Sequence, residues 1–356
     1  MKIHEKYMSR CIQLAKNGLG TTYPNPLVGS VIVYNNTIIG EGWHNQAGLP
    51  HAEVNAINNV IDETQLKEAT LYVNLEPCSH FGKTPPCSDL IVSKGIKKVV
   101  IGCKDPNTKV AGKGIQKLKE AGCEVIENVL QNEAMELNKR FFTFQNKKRP
   151  YIFLKWAQTN DGFMAPKNKQ EVKPVWISNE FSRQWVHKMR TQEQAILVGT
   201  QTVLDDNPLL NARDWKGNSP IRVVLDKTLK IPNTAAIYDQ SIKTLILTES
   251  NNYKKNLPSK GEKHRCLLFE KIDFSENIAS QICELLYTHA IQSVIVEGGS
   301  KTLQTFIDEN LWDEAFVFEG PMSFLEGTKA PLLKAKIFLE TTLKSDRLLH
   351  YKNKNT

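Results

Sequence analysis

Apolar positions recur along this chain in two alternating rhythms. Residues 1–16 place Tyr7, Cys11, Leu14 and Ala15 on one helical face, the three-to-four residue spacing of an amphipathic helix. Val28 to Tyr34 is a β-rich run, and Ile38-Ile39 follows after Asn35-Asn36, a pair suited to a tight turn. The same alternation predicts helices at Ala52–Val60, Asp89–Lys94 (closed by Gly95) and Lys113–Ala121 (closed by Gly122), with strands at Leu71–Leu75, Lys98–Gly102 and Glu124–Ile126. Beyond Pro150 the pattern restarts. Strands are predicted at Tyr151–Trp156, Ala195–Val198, Ile221–Leu225, Thr244–Leu247, Leu267–Phe269, Ser293–Val296 and Ala315–Phe318. Helices are predicted at Asn179–Arg190, Ile278–His289 and Lys301–Glu309. Strands alternating with helices imply α/β layers with helices on both faces of a sheet. The polar, proline-ended stretch Lys147-Lys148-Arg149-Pro150 suits a solvated linker, giving domains 1–146 and 151–356 joined by residues 147–150. Tyr351 to Thr356 is expected to fray.

Composition narrows the class. With 356 residues, 40% hydrophobic and 24% charged, the chain has the makeup of a globular protein and not of a fibre or a disordered tail. No run approaches the roughly 20 apolar residues of a membrane span, and the first residues lack the apolar core of a signal peptide, so the cytoplasm is the expected compartment. The net charge of +8 is spread over both halves. It suits small anionic substrates better than nucleic acid, which calls for concentrated basic patches. Seven cysteines, an odd number without a secretory signal, argue for buried or metal-binding thiols over a disulfide framework.

The chemistry is concentrated in His51-Ala52-Glu53, Glu76-Pro77-Cys78 and Cys87. One imidazole and two thiolates suit zinc, and three protein ligands leave a fourth position for water, which is the layout of a catalytic site. Glu53, two residues from His51, reaches that water without ligating the metal and can move its proton. A His-x-Glu followed by Pro-Cys and a further Cys is the signature of zinc nucleobase deaminases, but eight residues, not two, separate these cysteines. The intervening segment carries His80, Lys83 and Thr84, which suit a phosphate, with Gly82 permitting close backbone approach. Upstream, the rigid Pro24-Asn25-Pro26 turn presents an amide able to bond a pyrimidine edge, and His44 follows on the next element. In the second half the residues say less. Val296-Glu297-Gly298-Gly299-Ser300, between a buried strand and a helix, suits a phosphate at a helix N-terminus without being a GxGxxG fingerprint.

The runs TYPNPLVGSVIV, HAEVNA, EPCSHFGKTPPC and KDPNTKVAGKGI resemble the deaminase domain of the bacterial bifunctional riboflavin-biosynthesis family. Leu154 to Gly162, Ala195 to Arg213 and Glu297-Gly298-Gly299 are similar to that family's reductase domain, so the resemblance covers about residues 4–320. It implies a cytidine-deaminase-like αβα domain followed by a dihydrofolate-reductase-like α/β domain. It implies zinc and NADPH as cofactors, a small phosphorylated pyrimidine as substrate, and a homo-oligomer. By the same resemblance Ala157, Trp176, Thr202, Asp206 and the Gly299–Thr305 turn (Gly299, Ser300, Lys301, Thr302, Leu303, Gln304, Thr305) hold NADPH. Arg190, Leu210, Arg213 and Glu297 hold the substrate, the arginines at its phosphate, and Lys155 delivers a proton. The chain departs from the family at Lys83, where arginine is usual, and at Thr108, where a second proline is usual. It also departs at Pro174, where a serine is usual and Ser178 is the substitute. Two other readings remain at this stage: a nucleic-acid base deaminase with a binding domain, and a deaminase whose second domain is not catalytic.

Overall fold

The computed structural model describes residues 2–79, 85–106, 111–169, 171–251 and 266–354. The chain divides into two compact units, Met1–Lys148 and Arg149–Thr356.

The first unit runs α1 (Lys2–Ala15), β1 (Gly29–Tyr34), β2 (Thr37–Trp43), α2 (Ala52–Asn58), β3 (Thr70–Leu75), α3 (Cys87–Ser93), β4 (Lys98–Cys103), α4 (Lys113–Glu120), β5 (Glu124–Ile126), α5 (Gln131–Leu137) and α6 (Lys139–Lys147). Its five-stranded sheet has the order β2-β1-β3-β4-β5. The β1–β2 hairpin turns at Asn35 and Asn36, both at positive φ (47° and 60°), the backbone that matches a two-residue turn to strand twist. β3, β4 and β5 are parallel. Side chains alternate across the sheet. Ile32, Leu71, Val73, Val99 and Ile101 pack under α2, α3 and α4, while Val31, Val33, Tyr72 and Val100 pack under α1. The result is a three-layer αβα unit. Gly29 is required where β1 passes α1, since a Cβ there would lie 2.1 Å from the Cys11 carbonyl oxygen.

The second unit contains β6 (Tyr151–Thr159), β7 (Phe163–Pro166), α7 (Glu180–Gln192), β8 (Ala195–Gly199), α8 (Thr200–Asp206), β9 (Ile221–Leu225), β10 (Thr244–Thr248), β11 (Leu267–Lys271), α9 (Ile278–Thr288), β12 (Ser293–Gly298), α10 (Ser300–Asp308), β13 (Glu314–Gly320), β14 (Gly327–Lys329), β15 (Ile337–Leu343) and β16 (Asp346–Lys352). Its nine-stranded sheet has the order β11-β10-β9-β8-β12-β6-β13-β16-β15. The strands from β11 to β13 are parallel, and β16 and β15 add antiparallel at one edge. α9 and α10 cover one face, and α7 and α8 cover the other.

Several expectations need correction. The segment 131–147 forms two short helices that the hydrophobic rhythm did not reveal. Lys147 ends α6, and Arg149 is buried instead of solvated. Its guanidinium forks onto Asp313 (2.7 and 2.8 Å), whose Oδ2 also accepts the Ile152 N–H at 2.8 Å. The chain end does not fray at Tyr351, because Tyr351 and Lys352 pair with Ala315 and Glu314 in the sheet. The β15–β16 hairpin was missed because β15 is exposed along almost its whole length and so carries no buried-strand pattern.

Asp313→Ala removes the partner of a buried guanidinium and one backbone acceptor. It should destabilise the second unit by about 3–5 kcal/mol, measured as a lowered denaturation midpoint against the unaltered chain.

Candidate active sites

β3 ends at Leu75, and the chain then turns through Glu76-Pro77-Cys78. Glu76 is buried, and its carboxylate accepts four backbone N–H groups. Oε2 takes Asp105 (3.2 Å) and Gly112 (2.9 Å), and Oε1 takes Gly114 (2.9 Å) and Ile115 (3.2 Å). Gly114 is needed for this approach, since a Cβ there would lie 2.1 Å from the Pro77 carbonyl oxygen. The turn after β3 is thereby tied to the start of α4, and Cys78 is fixed above it.

His51 is the N-cap residue of α2, with extended backbone and an imidazole that does not cap the helix. Its Nδ1 lies 3.6 Å from Cys78 Sγ and 3.3 Å from Cys87 Sγ. The donor atoms of His51, Cys78 and Cys87 all fall within 4.8 Å of one another. Cys87 opens α3, and its N–H donates to Cys78 Sγ at 3.3 Å, while the Ser88 N–H and Oγ both donate to the Cys78 carbonyl at 3.1 Å. Hydrogen bonds from the Cys87 thiol and from His51 favour the Cys78 thiolate, and the Cys87 thiol is correspondingly raised. One nitrogen and two sulfurs at this spacing fit a tetrahedral zinc with one position left over. Glu53, in the first turn of α2, is 3% exposed. Burial, reinforced by the Cys78 charge, pushes its carboxyl up to about 7.

Asn25 and His44 also meet. His44 Nδ1–H donates to the Pro50 carbonyl (3.1 Å), leaving Nε2 to accept the Asn25 amide N–H at 3.0 Å. Burial lowers the His44 pKa and keeps that ring neutral. The edge of the His44 ring meets His51, centroids 5.2 Å apart. Two buried asparagines that the sequence did not single out hold the Asn25 turn. Asn138 brackets Leu27, accepting its N–H at 2.8 Å and donating to its carbonyl at 2.9 Å, and Asn74 accepts the Gly29 N–H and donates to the same Leu27 carbonyl. Asn74 had a signal in the sequence, a polar residue inside the apolar strand β3, whereas Asn138, between α5 and α6, had none. His80, Lys83 and Thr84, like Thr108, lie outside the described residues.

In the second unit a cavity of about 400 Å³ opens on the α7 and α8 side. It is lined by Lys155, Ala157, Trp176, Arg190, Thr202, Asp206, Leu210, Arg213 and Glu297, the residues expected there outside Gly299–Thr305, with both Pro174 and Ser178. Glu297, at the end of β12, is flanked by two cations. Arg190 forks onto it (3.0 and 2.7 Å) and Lys155 Nζ stands 3.6 Å away. Burial by itself would raise the Glu297 carboxyl, but Arg190 and then Lys155 overcome it and hold it near 2. Burial lowers Lys155. Arg190 is thus held by Glu297 and by the Asn211 carbonyl (3.0 Å) on the cavity wall. Asp206 pairs with Lys169.

The predicted Gly299–Thr305 turn is mostly the helix α10, and these residues do not line that cavity. Leu303 is fully buried in the core, Gln304 bonds Asp308 and Leu332, and Thr305 bonds the Lys301 carbonyl. Gly298 and Gly299 instead pack against the Thr202 hydroxyl (a Cβ on either would lie 3.4 Å from it), and Gly199 faces Thr302. The start of α10 thus adjoins the cavity wall through Thr202.

An αβα unit with a His-Cys-Cys centre, followed by a reductase-type α/β unit, defines a zinc deaminase joined to a dihydrofolate-reductase-like domain. Comparisons with known proteins agree. Residues 1–103 match the cytidine and deoxycytidylate deaminase zinc-binding region, and residues 150–355 match the RibD C-terminal domain. The chain is 41% identical to the riboflavin biosynthesis protein RibD of Aquifex aeolicus, over 92% of this chain and 89% of that one. It is 41% identical to the Bacillus amyloliquefaciens RibD, over 93% and 88%. A crystal structure from Thermotoga maritima, described as a diaminohydroxyphosphoribosylaminopyrimidine deaminase/5-amino-6-(5-phosphoribosylamino)uracil reductase, superposes with a TM-score of 0.87 at 38% identity, covering 99% of each chain. An Acinetobacter baumannii RibD structure gives 0.86 at 32%, again over 99% of each chain. The chain belongs to the RibD family. It is a bifunctional deaminase and reductase of riboflavin biosynthesis, with zinc and NADPH as cofactors.

Glu76→Gln keeps the volume of the side chain but replaces one acceptor oxygen with a donor. At least one buried N–H is left unpaired, at a cost of about 1–3 kcal/mol. The variant should unfold at lower temperature and release zinc to a chelator faster than the unaltered chain.

Proposed function

We propose that the first unit hydrolyses the 2-amino group of 2,5-diamino-6-ribosylamino-4(3H)-pyrimidinone 5′-phosphate and that the second reduces the ribosyl side chain of the product to ribityl. The observation that carries the first half is the convergence of His51 Nδ1 and the Cys78 and Cys87 sulfurs within 4.8 Å, with the buried Glu53 two residues from the histidine. Zinc held by these three groups would supply the polarisation that makes a water a nucleophile at neutral pH. Glu53 would accept a proton from that water and return it to the departing amino group, two tasks served by a carboxyl that burial has raised toward neutrality. Asn25, its amide N–H spent on His44, turns its carbonyl oxygen toward the pyrimidine edge. We assign the 5′-phosphate to His80, Lys83 and Thr84 on chemistry alone.

In the second unit we assign the cofactor to Ala157, Trp176, Thr202, Asp206 and the backbone from Gly299 to Thr305. NADPH supplies the hydride that ribose C1′ receives. Lys155 carries a proton at Nζ beside Glu297 and passes it to the ring oxygen as the sugar opens. Leu210 and Arg213 hold the substrate, and Arg213 faces its phosphate. Arg190 acts through Glu297, whose charge it fixes. Pro174 offers no hydrogen bond from its side chain, and Ser178, on the same cavity wall, supplies the hydroxyl.

We read the partner as this small phosphorylated pyrimidine and not nucleic acid, since the charge is mild and dispersed. We place the protein in the cytoplasm. Among the described residues no helix is long and apolar enough to cross a membrane. We also propose a homo-oligomer. The edge strand β15 supports this, exposing Ile337, Phe338 and Leu339 in a row.

Glu53→Gln should lower ammonia release from the diamino substrate by at least about 100-fold and leave NADPH oxidation on the deaminated intermediate intact. Loss of both activities in a folded variant would contradict the assignment. Lys155→Met should do the reverse, lowering the kcat of reduction by about 100-fold with ammonia release unchanged.

A further inference from the structure

The face of α7 that lines the reductase cavity presents His187 and Arg190, one turn apart. Both hold the irregular segment that follows α8. That segment has left-handed backbone at Asn207 (φ 42°) and Leu210 (φ 51°), and no strand or helix contains residues 207–214. Arg190 Nη1 donates to the Asn211 carbonyl at 3.0 Å. Two residues on, the Arg213 N–H donates to His187 Nδ1 at 3.1 Å, with the Asp214 N–H behind it at 3.5 Å. A ring nitrogen that accepts carries no proton, so the hydrogen of His187 sits on Nε2, which faces Asp214 Oδ2 at 3.4 Å. The imidazole is 3% exposed. The Arg213 side chain, by contrast, is 43% exposed and lines the cavity, with Nη1 steadied by Asn211 Oδ1 at 3.3 Å.

We propose that His187 is a positioning residue of the reductase: its unprotonated Nδ1 pins the Arg213 backbone and so aims the Arg213 guanidinium at the phosphate of the substrate. The inference rests on the assignment of Arg213 to that phosphate. It adds the reason why an arginine on an irregular segment holds one direction. A long cation on a free loop loses much of its binding energy in becoming ordered, and a backbone clamped at residues 211 and 213 has met that cost in advance. Burial holds the His187 pKa at about 4, so the accepting nitrogen is present throughout the neutral range.

The test uses the full chain with zinc bound, following NADPH oxidation on 5-amino-6-(5-phosphoribosylamino)uracil and on its dephosphorylated counterpart. His187→Phe keeps a ring but removes the acceptor. It should raise KM for the phosphorylated substrate about tenfold, change kcat less than about twofold, and leave KM for the dephosphorylated compound where it was. His187→Asn, whose side-chain oxygen can take the place of Nδ1, should restore KM to within about threefold. If His187→Phe does not fold, His187→Leu carries the same comparison. Equal rises in KM for both compounds, or no rescue by asparagine, would overturn the proposal. Arg213→Ala separates the two layers of the argument. If it leaves the preference for the phosphorylated substrate intact, the assignment of Arg213 is wrong. If it abolishes that preference while the acceptor-free variants keep it, only the role given to His187 fails.

Discussion

Three donor atoms stand ready for one metal ion when the backbone beneath them is fixed in advance. The carboxylate of Glu76 supplies that constraint in the first unit. It stands at the carboxyl end of β3, where the strand's hydrogen-bonding partners run out, and gathers four N–H groups from the segment leading into α4. Backbone N–H groups at such buried positions as Gly114 and Ile115 need an acceptor, and the carboxylate provides it. The fixed turn sets Cys78, the Cys87 N–H reaches back to its sulfur, and α2 brings His51 in from the other side. Glu53 follows automatically, because two positions beyond an N-cap histidine the chain is in the first helical turn.

The second unit solves a different problem. The Glu297 carboxylate near the end of β12 is 7% exposed, and an unpaired charge buried to that degree would be costly. Arg190 and Lys155 compensate it from two different elements, α7 and β6. The arrangement holds a lysine ammonium within reach of a cavity from which burial alone would tend to strip its proton. Arg190 serves two ends at once, since the guanidinium that neutralises Glu297 also clamps the Asn211 carbonyl.

How much of this could be read from the chain follows from the range of each interaction. The αβα layering showed in the sequence because burial on alternating faces writes a period of two or of three to four residues into it. Ile32, Leu71, Val73, Val99 and Ile101 are where that rhythm puts them. The zinc ligands showed because few residue types serve the metal and two of the three lie beside turns. What did not show was long-range. Asn138 bonds Leu27 across 111 positions, and Arg149 meets Asp313 across 164, and neither pairing leaves a local trace. The β15–β16 hairpin failed for another reason: an exposed strand obeys no inside-outside alternation. The pairing of Arg190 with Glu297 did not show either, because an arginine near a phosphate site and an arginine compensating a buried glutamate look alike in sequence.

That ambiguity points to the difference between the two halves as sites. In the deaminase unit, chemistry and position coincide: the residues that bind are also the residues whose identity is diagnostic. In the reductase unit the groups that touch the cavity are ordinary ones, and their meaning comes from what holds them. Glu297 matters through Arg190 and Lys155, and Thr202 through the glycines it packs against. The Leu303 side chain is buried in the core beneath α10. A site built this way is spread over supporting contacts, with α7 and the segment after α8 holding one another as well as lining the cavity. A sequence motif, which records identities and not supports, reads such a site only after the fold has brought the supports together.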